Sequence, residues 1–343
     1  MKKRNSLLDV MKGIGILLVV IGHVSSNSIL NRWIYSFHMP LFFFISGILY
    51  FLSTKVDSKT FLRKKFQGLL IPYFIFSLIT FLYWVVIERH LRGDMNISIG
   101  HQILEMFISQ GGDINHQYNV VLWFLPCLFM MELTFDCIYK NFKNHKSLFG
   151  LMILFSIAGY LLIKFCEFRL PFSIDTMCVS ILFYGLGFIV APFIDTISLV
   201  FNKHKIISIL VFIILSVIIS ITYQGCNLNN NYYSNYVLFY IFGIIGILFM
   251  ICLATLFKEN KLLLFLGRNT LVLMCIHEPL KRIMIIIVSK ISKIPTELLR
   301  GNIFGILFIT AILMMVMYPI IIIINQYFPF MLGKPYKRIK KEV

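Results

Sequence analysis

Ten stretches of this chain run for about 20 mostly apolar residues each, the length a helix needs to cross the hydrocarbon of a bilayer. They lie near 7–26, 34–52, 69–87, 120–138, 148–166, 176–196, 205–222, 235–257, 269–289 and 303–325. The fold class that follows is all-α: a polytopic membrane helix bundle of about ten transmembrane helices. Composition agrees, with 59% hydrophobic and only 14% charged residues and a mean hydropathy of +0.85. Soluble domains are nearer half apolar and a quarter charged. No repeat, low-complexity tract or soluble domain stands out, so the 343 residues are read as one unit.

The net charge of +17 would suggest nucleic acid in a soluble protein. Here the Lys and Arg sit in short loops and termini, where they set topology, and no nucleic-acid partner is expected. With the N-terminus inside, 21 basic residues fall in cytoplasmic segments, from Lys2, Lys3 and Arg4 through Lys55 and Lys143 to Lys337, Arg338, Lys340 and Lys341. Only seven fall outside, among them Arg32, Arg89, Arg92, Arg169 and Arg300. That bias predicts both termini in the cytoplasm. The basic start followed by an apolar run resembles a signal peptide, but Asp9 and Lys12 interrupt the run, so a retained first span is expected. The seven cysteines form no CxxC pair and indicate neither a metal site nor a disulfide frame. The loop near 88–119 is the longest and is polar, with Glu88, Asp94, Glu105, Asp113, His90, His101 and His116. Loops of that length are functional or disordered.

The first span, "LDVMKGIGILLVVIGHVSS", carries three ionisable side chains. At about 100° per residue, Lys12 and His23 differ by three turns plus roughly 20°, and Asp9 and His23 fall within roughly 40° of four turns. All three share one face, which cannot look at lipid and should line a cavity or pack on other helices. Lys12 and His23 are about 16 Å apart along the axis. Asp9 and Lys12 are either part of that lining or a snorkelling pair at the membrane edge. His23 is either a site residue or a hydrogen-bonded interior histidine. His38 precedes Pro40 at the start of the second span and is either a helix-start residue or a second group converging on His23.

"LDVMKGIGILLVVIGH" followed by "FHMPLFFFISG" resembles the acyltransferase-3 family of integral membrane acyltransferases. That family has a basic residue, ten intervening residues and then His in its first span, which Lys12 and His23 match. The resemblance continues in order through "RKKFQGLLIPYF" (63–74), "LWFLPCLF" (122–129), "PFSIDTMCVSILFYGLGF" (171–188) and "LGRNTLVLMCIHEPL" (266–280), so it covers most of the chain. The shorter members, which O-acetylate sugars of surface polysaccharides or symbiotic signals, look most similar. One departure is that many members carry a second basic residue three positions after the first, just before "LLIPY", where this chain has Gly68 after Lys65.

The resemblance implies one acyltransferase domain over residues 1–343, in the cytoplasmic membrane of a bacterium, moving acetyl from acetyl-CoA to a hydroxyl of a cell-surface or lipid-linked saccharide. It implies no tightly bound cofactor and no metal. His23 is the expected general base, since a neutral imidazole suits proton removal from a hydroxyl; a covalent acetyl-His intermediate is the alternative. Arg63, Lys64 and Lys65 are either contacts for coenzyme A phosphates or topology determinants only. The substrate or donor channel is expected to involve Asp9, Lys12, His38, Glu132 and His277. Glu132 and Asp136 share a face of the fourth span, His277 falls midway along the ninth, and Glu278 and Arg282 are spaced to pair. Trp123 and Phe124 read as interface anchors. Arg169 and Asp175, near the outer edge, either meet a sugar or are solvated. A carrier or flippase for lipid-linked saccharide is the main competing reading and a polysaccharide polymerase the second; neither needs an acyl donor.

Overall fold

The computed structural model describes residues 5–53, 57–112, 115–142 and 144–335. The basic residues at 2–4, Lys55, Lys143 and Lys337, Arg338, Lys340 and Lys341, and also Asp113, lie outside the described residues. Three long helices open the chain: α1 (Ser6–Val24), α2 (Ser28–Ser53) and α3 (Ser58–Arg92). The short α4 (Ile99–Ile108) precedes α5 (Phe124–Asn141), α6 (His145–Phe165), α7 (Ile174–Val190), α8 (Ile194–Lys203) and α9 (Lys205–Thr222). A hairpin of β1 (Cys226–Asn227) and β2 (Tyr232–Tyr233), with Cys226 opposite Tyr233, leads into α10 (Tyr236–Leu256). The chain continues through α11 (Lys261–Arg268), α12 (Thr270–Ser292), α13 (Thr296–Gly301) and α14 (Ile303–Tyr327).

Among the described residues, nine helical segments are long and apolar enough to cross a membrane, and they coincide with nine of the ten expected spans. The tenth expected span, 269–289, is the 23-residue α12. It is long enough to cross, but His277, Glu278, Lys281, Arg282 and Lys290 make it too polar to count as an apolar helix. Its polar middle is buried by neighbouring helices.

Close backbone approach holds the interior together, as expected where lipid gives no hydrophobic drive between helices. A Cβ on Gly47 of α2 would lie 1.9 Å from the Tyr184 carbonyl oxygen of α7, and one on Gly187 would lie 1.9 Å from that of Phe44. Only glycine permits this reciprocal crossing. In α3 a π turn at Phe66–Leu70 precedes Pro72, and a second occupies Trp84–Glu88. Proline has no N–H and its ring clashes with the carbonyl four residues earlier. The wider π turn relieves that clash, so α3 runs on through Pro72.

The loop after α3 is packed rather than disordered. Gln102, Glu105, Asn115, His116 and Asn119 are all buried. The His116 ring nitrogen Nε2 lies 3.0 Å from the Tyr73 hydroxyl, and burial pushes His116 down to about 4.

Candidate active site

A cavity of about 430 Å³ lies inside the bundle, and helical spacing accounts for its walls. On α1 the lining residues are Ile16, Val19 and His23; on α2 they are Tyr35, His38, Met39, Phe42 and Ser46. Both sets recur at three and four residues, which keeps them on one stripe. Tyr35 to Ser46 is eleven residues, about 16 Å of helix, so the cavity follows much of the membrane depth. Trp123, Phe124 and Leu128 of the α5 region close a third side, and Asn227 and Asn229 of the hairpin stand at one end.

His23 is 21% exposed, which is its face on the cavity. On its other side the Nδ1 atom lies 3.4 Å from Glu278 Oε2. The His277 ring packs edge-on at 5.2 Å between centroids. His277 and His38 each place Nδ1 beside the carbonyl four residues earlier in their own helix, at 2.9 Å from Leu273 and 3.0 Å from Ile34. A carbonyl can only accept, so both Nδ1 atoms carry the proton and both Nε2 atoms are acceptors. The Tyr35 ring lies between the two histidines that face the cavity, 6.3 Å from His23 and 5.0 Å from His38.

Glu278 is held by its own helix. Its Oε1 accepts from Lys281 Nζ at 2.7 Å and from Arg282 Nε at 3.1 Å. Arg282 also donates to Glu88 Oε1 at 2.8 Å and to the Gln117 carbonyl at 2.9 Å, and Arg92 reaches the same Glu88 oxygen at 3.3 Å. Opposite charges thus alternate from the end of α3 down to His23. The next residue, Pro279, lacks an N–H, so the Cys275 carbonyl loses its helical donor. The Asn119 side-chain amide supplies the missing bond at 2.8 Å.

A separate ionic cluster lies at the other end of the cavity. Glu132 is buried between Lys65 Nζ at 2.5 Å and the Tyr184 hydroxyl at 2.7 Å. Asp136 accepts from Tyr50 at 2.8 Å and from Lys140 at 2.7 Å. Arg63 and Lys64, the two residues before Lys65 on α3, are exposed.

Of the residues singled out from sequence, His23 and His38 border the cavity together. His277 is fully buried behind His23 rather than on the cavity wall. Lys12 pairs with Asp9 at 2.9 Å, and Asp9 also meets Arg268 at 3.5 Å, at the inner end of α1 below the lining that starts at Ile16. Glu132 and the Lys65 ammonium are engaged with each other, whereas Arg63 and Lys64 remain on the surface. Trp123 and Phe124, read as interface anchors, are buried on the cavity wall instead. Arg169 and Asp175 pair at 2.6 Å, and Arg169 NH1 also binds the Asn229 carbonyl, so they fix the hairpin from behind.

The contact of Glu278 with His23 was missed, because the i, i+4 spacing to Arg282 accounts for a carboxylate by itself. The one available signal was an acid adjacent to an intramembrane histidine. The hairpin was missed too, since "CNLNNNYYSNY" carries little apolar alternation.

His23, His277 and Glu278 are also the one set, among the described residues, whose possible metal-ligand atoms come within 4.8 Å of each other. Lys281 and Arg282 already neutralise Glu278, so the site has its cations from side chains. The set fits an imidazole backed by a carboxylate. That pair can accept a proton from a hydroxyl at the cavity and hold the resulting imidazolium.

A family model described as an acyltransferase domain matches residues 5–332. No curated protein and no solved structure matches the chain.

Proposed function

The chain belongs to the acyltransferase-3 family and is a multi-pass membrane acyltransferase, and from that premise we propose that it moves acetyl from acetyl-CoA to a hydroxyl of a cell-surface or lipid-linked saccharide. The observation that carries this reading is His23, which faces a cavity running along the bundle and is backed by a buried carboxylate. His23 Nδ1 faces Glu278, which leaves Nε2 for the acceptor. Nε2 takes the hydroxyl proton as the oxygen attacks the thioester carbonyl. The tetrahedral intermediate collapses, the C–S bond breaks, and the imidazolium returns its proton to the departing thiolate. Glu278, fixed by Lys281 and Arg282, orients the ring and stabilises its cationic form.

The donor enters from the cytoplasmic face, where Arg63 and Lys64 attract the phosphates, and the acceptor meets His23 from the outer side. On this reading the chain sits in a bacterial cytoplasmic membrane with both termini inside. Acetyl transfer by His23→Ala and His23→Gln at matched expression tests it. A loss of about 10²–10⁴-fold is expected, and wild-type rates in either variant would remove His23 from the chemistry. Movement of the saccharide across the bilayer without acetyl-CoA, and no acetylated product with it, would instead favour a carrier of lipid-linked saccharide.

A further inference from the structure

Gly68 stands where α3 passes the cavity, at the end remote from His23. Its backbone lines the cavity, and a Cβ placed there would meet no atom within 4 Å. Gly150 of α6 is equally open but exposed on the surface, off the cavity, and four other helical glycines are the reverse. At Gly47, Gly187, Gly246 and Gly267 a Cβ would come within 2.3 Å of a neighbouring atom. Those glycines allow close crossings; Gly68 lowers helix stability relative to alanine with no crossing to show for it.

Gly68 is also the middle residue of the π turn Phe66–Leu70, a distortion that concentrates at functional sites. Contacts on either side hold the turn. Lys65, the residue before it, is bound to Glu132, and the Gln67 carbonyl oxygen packs against Gly333, where a Cβ would lie 1.7 Å away. One turn earlier α3 presents Arg63 and Lys64 to solvent. Exposed cations, an open gap and a largely apolar cavity reaching His23 therefore follow one another. A charged diphosphate would pay heavily to enter such a cavity, whereas a slim, neutral amide chain would not.

We infer that the gap at Gly68 is the portal through which the pantetheine arm of acyl-CoA enters the cavity, with the nucleotide phosphates left outside near Arg63 and Lys64. Side-chain size at position 68 then sets whether a thioester reaches His23. This inference rests on the acetyl-CoA reading above.

The test is a size series, Gly68→Ala, Gly68→Leu and Gly68→Trp, purified in lipid nanodiscs, with acetyl-CoA affinity and thermal melting measured for each. The alanine variant should bind within about twofold of wild type, and the leucine and tryptophan variants should weaken binding by about tenfold or more, in order of size, with melting no lower than wild type. If the tryptophan variant does not fold, the leucine variant decides. Wild-type affinity in the leucine variant, or an alanine variant weakened as much as the largest one, would overturn the portal while leaving the donor assignment standing. A wild-type protein that binds no acetyl-CoA would overturn the donor assignment, and the portal with it.

Discussion

α9 and α12 are both long enough to cross a bilayer, and they are built to opposite rules. Along α9 only 11% of the span is buried, with Phe212 and Ile219 facing inward and Ile207, Ile214 and Ile221 facing outward. α12 buries Cys275, His277, Glu278, Pro279 and Lys281 in consecutive turns and makes an ionic contact with Glu88 near the end of α3. In α9 lipid is the solvent, and apolar character is the whole requirement. In α12 protein is the solvent, and the charged groups of Glu278, Lys281 and Arg282 meet one another and Glu88 because hydrocarbon supplies no partner. The helix that looks least like a membrane span is therefore the one that sets a carboxylate behind His23.

The sharpest way to break this contrast is Glu278→Gln. It keeps the side-chain shape but removes the charge that faces His23, and kcat should fall by roughly 100-fold or more with little change in KM for the acyl donor. Steady-state kinetics in nanodiscs read it; an unchanged kcat would make Glu278 a purely structural partner of Lys281 and Arg282. A smaller effect is expected from Asn119→Ala, which strands the Cys275 carbonyl at the proline break in α12. Leaving that acceptor unsatisfied should cost about 1–3 kcal/mol, read as a lower melting temperature. The smallest belongs to α9. Ile214→Leu exchanges one lipid-facing side chain for another and should stay within about 0.5 kcal/mol with wild-type activity. A large loss there would mean that α9 meets protein rather than lipid.

Much of this architecture was legible beforehand, for a physical reason. Apolar runs of span length have few alternatives in a bilayer, so nine expected spans reappear as helices with ends shifted by a few residues to about a dozen. That Asp9, Lys12 and His23 share a face follows from helical periodicity, and the structure puts His23 of these three on the cavity, together with Ile16 and Val19. Periodicity could not say where the cavity stops, so Lys12 turned up at the inner end, paired with Asp9. It also could not say which helix comes to lie opposite His23. Glu278 is 255 positions away in sequence, and its approach depends on how α12 packs against α1. The π turn at Phe66–Leu70 was invisible for a related reason: it reflects how the backbone accommodates Pro72, which leaves no mark in hydrophobic spacing.

The bond from Asn119 to the Cys275 carbonyl has a mechanical meaning. It closes the weak point of α12 with a side chain from the outer loop, so a membrane-embedded rod and an external segment are sewn together two residues before His277. Any molecule that lifts that segment on its way in would unpick the seam and loosen the rod beside the imidazole. A shift of that segment would thereby be felt two residues from His277 without a moving domain.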